Sequence, residues 1–209
     1  MKTCAFIDAS NLFYGGEKSL GWKVDYKKLL AYLKEKYQVS KFFYFGGVEI
    51  HGFKYDYLKQ ETVSIVKLEQ YLVNFIKTQG KRLGEARLIL LAKHLQRIHF
   101  YKKLEEFGYK LYLRPVKLYE QEDGTTKRKA NCDVDMTFYL MKEMNNFDRA
   151  IVLSGDGDFL CVLKYLQDKG KNVIILARSK RTAREIRQFA GSNFRDFVRL
   201  EKYIKFEPK

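Results

Sequence analysis

Three short segments of this chain carry acidic side chains in a pattern that could hold a metal ion. Asp8 closes the apolar run Thr3–Ile7 and is followed by Ala9, Ser10 and Asn11. Ser154-Gly-Asp156-Gly-Asp158 follows a second apolar run, Ala150–Leu153, and Asp133 and Asp135 open the helical stretch just before it. Convergent carboxylates repel one another and are costly unless a cation neutralises them. Hard cations such as Mg2+ or Mn2+ take oxygen ligands, for which Asp and Asn are the right types. An ion of that kind activates water and stabilises charge on a phosphate in flight.

Each acid also has a plainer use. Asp8 could cap a turn. One of Asp156 and Asp158 must cap the helix that follows, and Asp158 is the better placed. Asp133 or Asp135 should likewise cap its helix. At about 100° per residue, Asp133 falls on the stripe of Val134, Thr137, Leu140, Met141 and Met144, with Asp135 opposite beside Lys142 and Asn146. An acid on a core-facing stripe points at a site, so Asp133 is favoured as the ligand. Asp135 is left in support or as a cap, and the choice of direct ligand between them stays open.

Other chemistries fail on their spacing. Asp8-Ala-Ser-Asn-Leu12 lacks the last Ser of a DxSxS site, and Ser10 stands where an aspartyl phosphatase needs a second Asp. There is no Walker A or GxGxxG motif, and the segment after Asp156 continues into an apolar helix rather than an EF-hand loop. His51, His94 and His99 match no zinc or triad spacing, and His94 and His99 are expected on a helix surface. Cys4, Cys132 and Cys161 are too scattered for a metal site and read as reduced thiols, at least two of them in the core.

The elements that must position the acids alternate between strand and helix. Strands are expected over Thr3–Ile7, Lys41–Val48, Tyr109–Leu118, Ala150–Leu153 and Asn172–Ala177, with a last edge strand at Phe197–Leu200. Helices are expected over Lys23–Tyr37 with Asp25 as N-cap, about Tyr55–Thr78 and Glu85–Phe107 with a break at Gly80 and Gly84, Asp133–Asn146, Asp158–Lys169 stopped by Gly170, and Thr182–Phe189. Glu122-Asp-Gly-Thr125 is a turn signal. The main strands are apolar throughout rather than alternating, which predicts an α/β fold with a mostly parallel central sheet covered by helices on both faces. In such sheets sites form at the carboxyl ends of the strands, and two of these strands deliver acids there. One domain over residues 1–209 is expected, with a helical insertion at about 52–107.

The chain has 209 residues, 40 Lys/Arg against 25 Asp/Glu, and a net charge of +15. So basic a surface favours a polyanion, nucleic acid before an anionic membrane. A basic protein with a focused acidic cluster is what metal-assisted cleavage of a polyanion needs: the basic surface holds the substrate and the acids hold the ion. Substrate contacts are expected from Lys127, Arg128 and Lys129, and from Arg178, Lys180, Arg181, Arg184 and Arg187. Phe13, Tyr14 and Trp22 could stack on bases, though Trp22 is read as packing against the fold. The insertion carries many basic residues beside apolar stripes, which fits an RNA arm, a surface for a homodimer, or packing on the core. A membrane span needs roughly 18–20 apolar residues, and no run approaches that. No leader pattern is visible at the N-terminus, and a cytoplasmic location is expected.

With these residues in view, the chain resembles the NYN domain family, the LabA-like branch of PIN-like nucleases. The likeness rests on Phe6-Ile-Asp8-Ala-Ser-Asn11, Arg114-Pro-Val-Lys117, Lys129-Ala-Asn-Cys-Asp133-Val-Asp135-Met and Ser154-Gly-Asp156-Gly-Asp158-Phe. It implies a three-layer PIN-like fold and Mg2+ or Mn2+-dependent endonucleolytic cleavage of RNA, most naturally single-stranded. Carried over by position, Asp8, Asp133 and Asp156 become the catalytic and metal-holding acids. Asp158 assists at the metal, Asn11 and Asp135 give support, and Ser154 forms the floor. Here Ala9-Ser10 stands where the family usually has Gly followed by Asn or Glu. The rival expectations are a catalytically silent RNA-binding or regulatory module and a DNA-directed nuclease.

Overall fold

The computed structural model describes residues 1–13, 18–121 and 124–207. The chain forms two compact units, residues 1–46 with 132–209, and residues 47–131.

In the first unit β1 (Thr3–Asp8) is buried along its whole length. A strand covered on both faces needs apolar side chains at consecutive positions, and Cys4-Ala-Phe-Ile7 provides them. A single turn, α1 (Ala9–Asn11), and a short α2 (Lys18–Leu20) follow. α3 (Tyr26–Tyr37) starts at the expected cap, where Asp25 accepts the Lys28 N–H at 3.0 Å. Leu29, Leu30, Leu33 and Tyr37 form its buried face. The chain then enters β2 (Val39–Val48), whose last two residues belong to the second unit.

In that second unit α4 (Ile65–Gln79) begins ten residues later than the periodicity suggests. Thr62 and Val63 are drawn instead to Leu113: Val63 N–H donates to its carbonyl at 2.9 Å, and its N–H donates to Thr62 Oγ1 at 2.8 Å. Ser64 then caps the helix. α5 (Glu85–Phe107) starts after the expected break at Gly80–Gly84. Leu68, Leu72, Leu91, Ile98, Tyr101 and Leu104 are buried on these two helices. Tyr101 Oη donates to the Gly47 carbonyl at 2.7 Å. Gly47 has no room for a side chain, since a Cβ would lie 2.6 Å from Ala130 Cβ.

The expected strand Tyr109–Leu118 is two strands. β3 (Tyr109–Pro115) stops at Val116, and β4 (Lys117–Glu120) pairs antiparallel with β5 (Thr126–Lys129). Val116 N–H turns to the Val48 carbonyl at 2.9 Å, which breaks the run. The basic triplet Lys127–Lys129 is therefore a strand. Of the expected turn, Glu122 and Asp123 lie outside the described residues. Gly124 takes φ +76°, and Gln121 N–H donates to the Thr125 carbonyl at 2.8 Å.

The last third returns to the first unit: α6 (Asp133–Lys142), β6 (Arg149–Leu153), α7 (Leu160–Asp168), β7 (Asn172–Ala177), α8 (Arg184–Ala190), β8 (Phe194–Asp196) and α9 (Glu201–Ile204). Gly170, at φ +74°, ends α7 as expected. The expected edge strand Phe197–Leu200 is instead a helical turn. Asp196 caps it by accepting the Val198 N–H at 3.1 Å, and Phe197 and Leu200 are buried three residues apart. The edge strand is β8, just before it.

The strand order of the sheet is β3-β2-β1-β6-β7-β8. β1 runs parallel to both β2 and β6, and β6, β7 and β8 continue parallel. The chain therefore winds outward from β1 to β2 in one direction and from β6 to β8 in the other. Right-handed crossovers in opposite directions put α3 and α7 on opposite faces. The order reverses between β1 and β6, where open α/β sheets leave a crevice at the strand carboxyl ends. No helix among the described residues is long and apolar enough to cross a membrane.

Candidate active site

β1 and β6 end side by side at that crevice. Ile7 is the register partner of Leu153, so Asp8 and Ser154 are the next residues out of the sheet. Both are buried. Ser154 Oγ donates to Asp8 Oδ2 at 3.1 Å. Asp8 Oδ1 accepts the N–H groups of Ser10 at 2.9 Å and Asn11 at 3.1 Å, which turns the chain into α1. Asn11 Oδ1 reaches back to accept the Gly155 N–H at 3.1 Å. Ser154 Oγ accepts the Asp156 N–H at 3.3 Å. The two strand ends are thus laced together by reciprocal bonds.

A third segment closes the lacing. The Gly155 carbonyl accepts the Ala183 N–H at 2.9 Å. A Cβ on Gly155 would lie 2.5 Å from Thr182 Oγ1 and 3.0 Å from Thr182 Cα, so only glycine fits. A Cβ on Gly157 would meet the Glu185 carboxylate. Buried Thr182 spends its hydroxyl on the Arg178 carbonyl at 2.9 Å. Thr182 and Glu185 escape sequence reasoning, because nothing local in Arg181-Thr-Ala-Arg-Glu185 marks them as the wall of the Gly155–Gly157 loop far back in the chain.

Burial pushes the Asp8 carboxyl up to about 6. The Asn11 N–H bond opposes this, the negative charge of Asp133 adds to it, and the Ser154 and Ser10 bonds oppose it again. Asp133 is therefore close enough to act on Asp8, consistent with α6 packing against β1. The expected stripe on α6 is rotated. Its buried face is Met136, Tyr139 and Leu140, next to buried Cys132, whereas Val134 and Met141 are 65% and 48% exposed. Asp133 and Asp135 flank that face on either side, both half-buried. Neither caps the helix, whose N-cap position is Cys132 with no side-chain bond.

The cap assignment at the second acidic segment is also reversed. Asp156 caps the short 3-10 turn Gly157–Phe159 that leads into α7, its Oδ1 accepting the Asp158 N–H at 3.1 Å; Asp158 is exposed, and α7 itself has no side-chain cap. Asp156 is the residue that leaves the strand in extended conformation, φ −75° and ψ 130°, as an N-cap must.

The structure thus brings together Asp8, Asn11, Ser154 and the Asp156 backbone, with Asp133 acting on Asp8. It does not gather the three carboxylates at one point. Among the described residues no group of three or more His, Cys, Asp or Glu side chains is arranged to hold a metal ion. The Asp8 and Asp156 carboxylates are turned toward donors of their own chain. The donor set still fits a hard cation: the oxygens are of the right kind, and a cation would relieve the charge that Asp133 presses on buried Asp8.

The expected basic residues divide. Lys180, Arg181, Arg184 and Arg187 are exposed just beyond the carboxyl end of β7, on the same edge of the sheet as Asp8 and Ser154. Arg178 is committed to Asp196 at 3.6 Å, with its side chain only 15% exposed. Lys129 is exposed in β5; the side chains of Lys127 and Arg128, and all of Tyr14, lie outside the described residues. Trp22 is buried, as expected, and Phe13 half-buried. His94 is half-buried and meets His51, not a surface residue as expected, whereas His99 pairs with Glu69 at 3.1 Å on the surface. Cys4 and Cys132 are buried and Cys161 exposed.

A family model described as the NYN domain matches residues 70–198. "Low amplitude and bright protein LabA" of Synechococcus elongatus is 21% identical over 202 residues, covering 96% of this chain and 86% of LabA. A crystal structure of a protein of unknown function, VPA0982 from Vibrio parahaemolyticus, superposes with a TM-score of 0.60 at 16% identity. That match covers 98% of this chain and 96% of the other.

Proposed function

This chain belongs to the NYN domain family, and on that footing we propose that it is a divalent-metal-dependent ribonuclease whose chemistry centres on Asp8, Asp133 and Asp156. The observation that carries the reading is Asp8. It is a buried carboxylate at the point where the strand order reverses, held by three hydrogen-bond donors and facing the charge of a second acid. A buried acid under such repulsion weakens a fold, and a cation-dependent reaction is a reason to keep it.

Asp8, Asp133 and Asp156 would hold Mg2+ or Mn2+, with Asp158 and Asp135 in support, and the ion supplies Lewis-acid stabilisation of the phosphate and a more acidic water. The chain's own residues prepare that site. Ser154 and the Ser10 and Asn11 amides orient the Asp8 carboxylate, so little reorganisation remains when substrate arrives. Asn11 ties the Gly155 amide to the same turn and keeps Asp156 at the crevice. Lys180, Arg181, Arg184 and Arg187 contact the RNA backbone from the same edge; Lys127, Arg128 and Lys129, in the second unit, are basic residues that suit phosphate contacts of their own.

The test is cleavage of end-labelled single-stranded RNA with Mn2+, then with EDTA, beside Asp156→Asn and Asp8→Asn. Either substitution should lower cleavage by more than about 100-fold, the scale lost when an electrostatic element of a site is removed, while RNA binding persists. Flap and duplex DNA run in parallel should be cut far more slowly. One observation favours a second reading, an RNA-binding module that does not cut: the missing three-carboxylate grouping among the described residues. Bound RNA that stays intact in Mn2+, with both variants behaving as the parent, would establish that reading and sink the first.

A further inference from the structure

We propose that the β4–β5 ribbon, together with Tyr57, is a single-stranded RNA arm that stacks bases on Tyr57 and Tyr119 and neutralises phosphate with Lys117. All four residues of β4 are exposed, with Leu118 at 63% and Tyr119 at 49%. Tyr57 is 50% exposed, and Lys117 Nζ lies 4.8 Å above its ring. Lys117 and Tyr119 stand two residues apart in a strand and so share one face. Aromatic, cation and aromatic therefore follow one another across a surface open to solvent.

Tyr57 is presented on a fixed base. Its ring meets Tyr55 edge-on at 4.8 Å. The Tyr55 hydroxyl donates to the Gln60 carbonyl at 2.7 Å and accepts from Arg114 Nη1 at 3.0 Å. Opposite Lys117 and Tyr119 in the ribbon stand Lys129 and Lys127, and Arg128 pairs with Leu118. The two strands carry Lys117, Lys127, Arg128 and Lys129 against the single acid Glu120. Lone two-stranded ribbons are marginal in water, and beyond the Lys117–Tyr57 contact these exposed side chains add little to the fold. They do suit an unpaired nucleic acid, whose splayed bases stack on aromatic faces while its phosphates meet cations. A duplex hides those base faces, which selects the single strand.

The identity of the polymer rests on the RNA reading above, but the arm is tested by binding alone. The probe is fluorescein-labelled oligouridylate with the full chain carrying Asp156→Asn, in EDTA, read by anisotropy. Tyr57→Ala and Tyr119→Ala should each weaken binding by about 5- to 150-fold, the range set by loss of one stacked base. Neither should change the slope of log Kd against log salt, nor the binding of an abasic oligonucleotide with the same backbone. Tyr119→Phe should bind like its parent. Lys117→Gln should lower the salt slope by about 0.7, one phosphate's share on a single strand. The arm is overturned if the tyrosine variants bind oligouridylate as the parent does. It is equally overturned if they lose the abasic strand in equal measure, or if duplex RNA binds as tightly and shows the same losses. RNA left uncut by the unsubstituted chain in Mn2+ would instead strike the nuclease reading and leave the arm standing.

Discussion

At the scale of single residues, Asp8 links stability to the proposed chemistry. Its carboxyl is raised from 3.8 to about 6. The folded state therefore holds a proton between those values that the unfolded chain has released, and stability from this group falls as pH rises through that window. Asp8→Asn removes the ionisation and keeps an acceptor for the Ser10 and Asn11 amides. At pH 7 this variant should be more stable than the unsubstituted chain by about 1–3 kcal/mol, and the difference should vanish near pH 4. Urea denaturation at the two pH values measures it. Mn2+ should raise the melting temperature of the unsubstituted chain and not that of Asp8→Asn, because only a site on the folded state shifts the equilibrium. Ser154→Ala deletes a donor to Asp8 and an acceptor for the Asp156 amide in one step. It should cost about 1–3 kcal/mol, read as a lower denaturation midpoint, together with reduced cleavage.

Among elements, the contrast between α6 and the Ser154–Asp158 loop is instructive. The apolar spacing of residues 133–144 marks α6 as a helix, but it does not say which side faces the sheet. Val134 and Met141 fit a stripe on paper, yet the side that packs is Met136, Tyr139 and Leu140. That rotation leaves Asp133 and Asp135 symmetrically placed about the buried face, and only the charge exerted on Asp8 separates them. Asp133→Asn should therefore reduce cleavage far more than Asp135→Asn; equal losses would mean that both acids serve. The loop makes a sharper demand. Gly155→Ala would drive a methyl into Thr182 from 2.5 Å to its hydroxyl and 3.0 Å to its backbone. The expected cost is about 1–3 kcal/mol of overpacking strain, with loss of cleavage. A denaturation midpoint unchanged by Gly155→Ala would show that the β7–α8 connection yields and is no wall.

For the molecule as a whole, the net charge of +15 makes any nucleic-acid affinity strongly dependent on salt. Affinity for single-stranded RNA should fall steeply between about 50 and 200 mM salt, and anisotropy titrations at those limits measure the slope. The buried strands at Thr3–Ile7, Ala150–Leu153 and Asn172–Ala177, the Asp25 cap, the Gly80–Gly84 break and the Gly170 stop were all legible in the sequence. They depend on side chains within a few residues of one another: apolar runs, cap oxygens, a glycine where φ is positive. Asp8 and Asp156 stand out as candidates for the same reason, since each lies just past an apolar run. What only the tertiary structure decided was pairing at a distance. It broke residues 109–118 into two strands because Val116 bonds to Val48. It paired Arg178 with Asp196 and set Ser154, just past β6, beside Asp8 of β1. Local preference acts over a turn or two of chain, whereas these choices are made between residues tens to more than a hundred positions apart, where shape and burial outweigh any local signal.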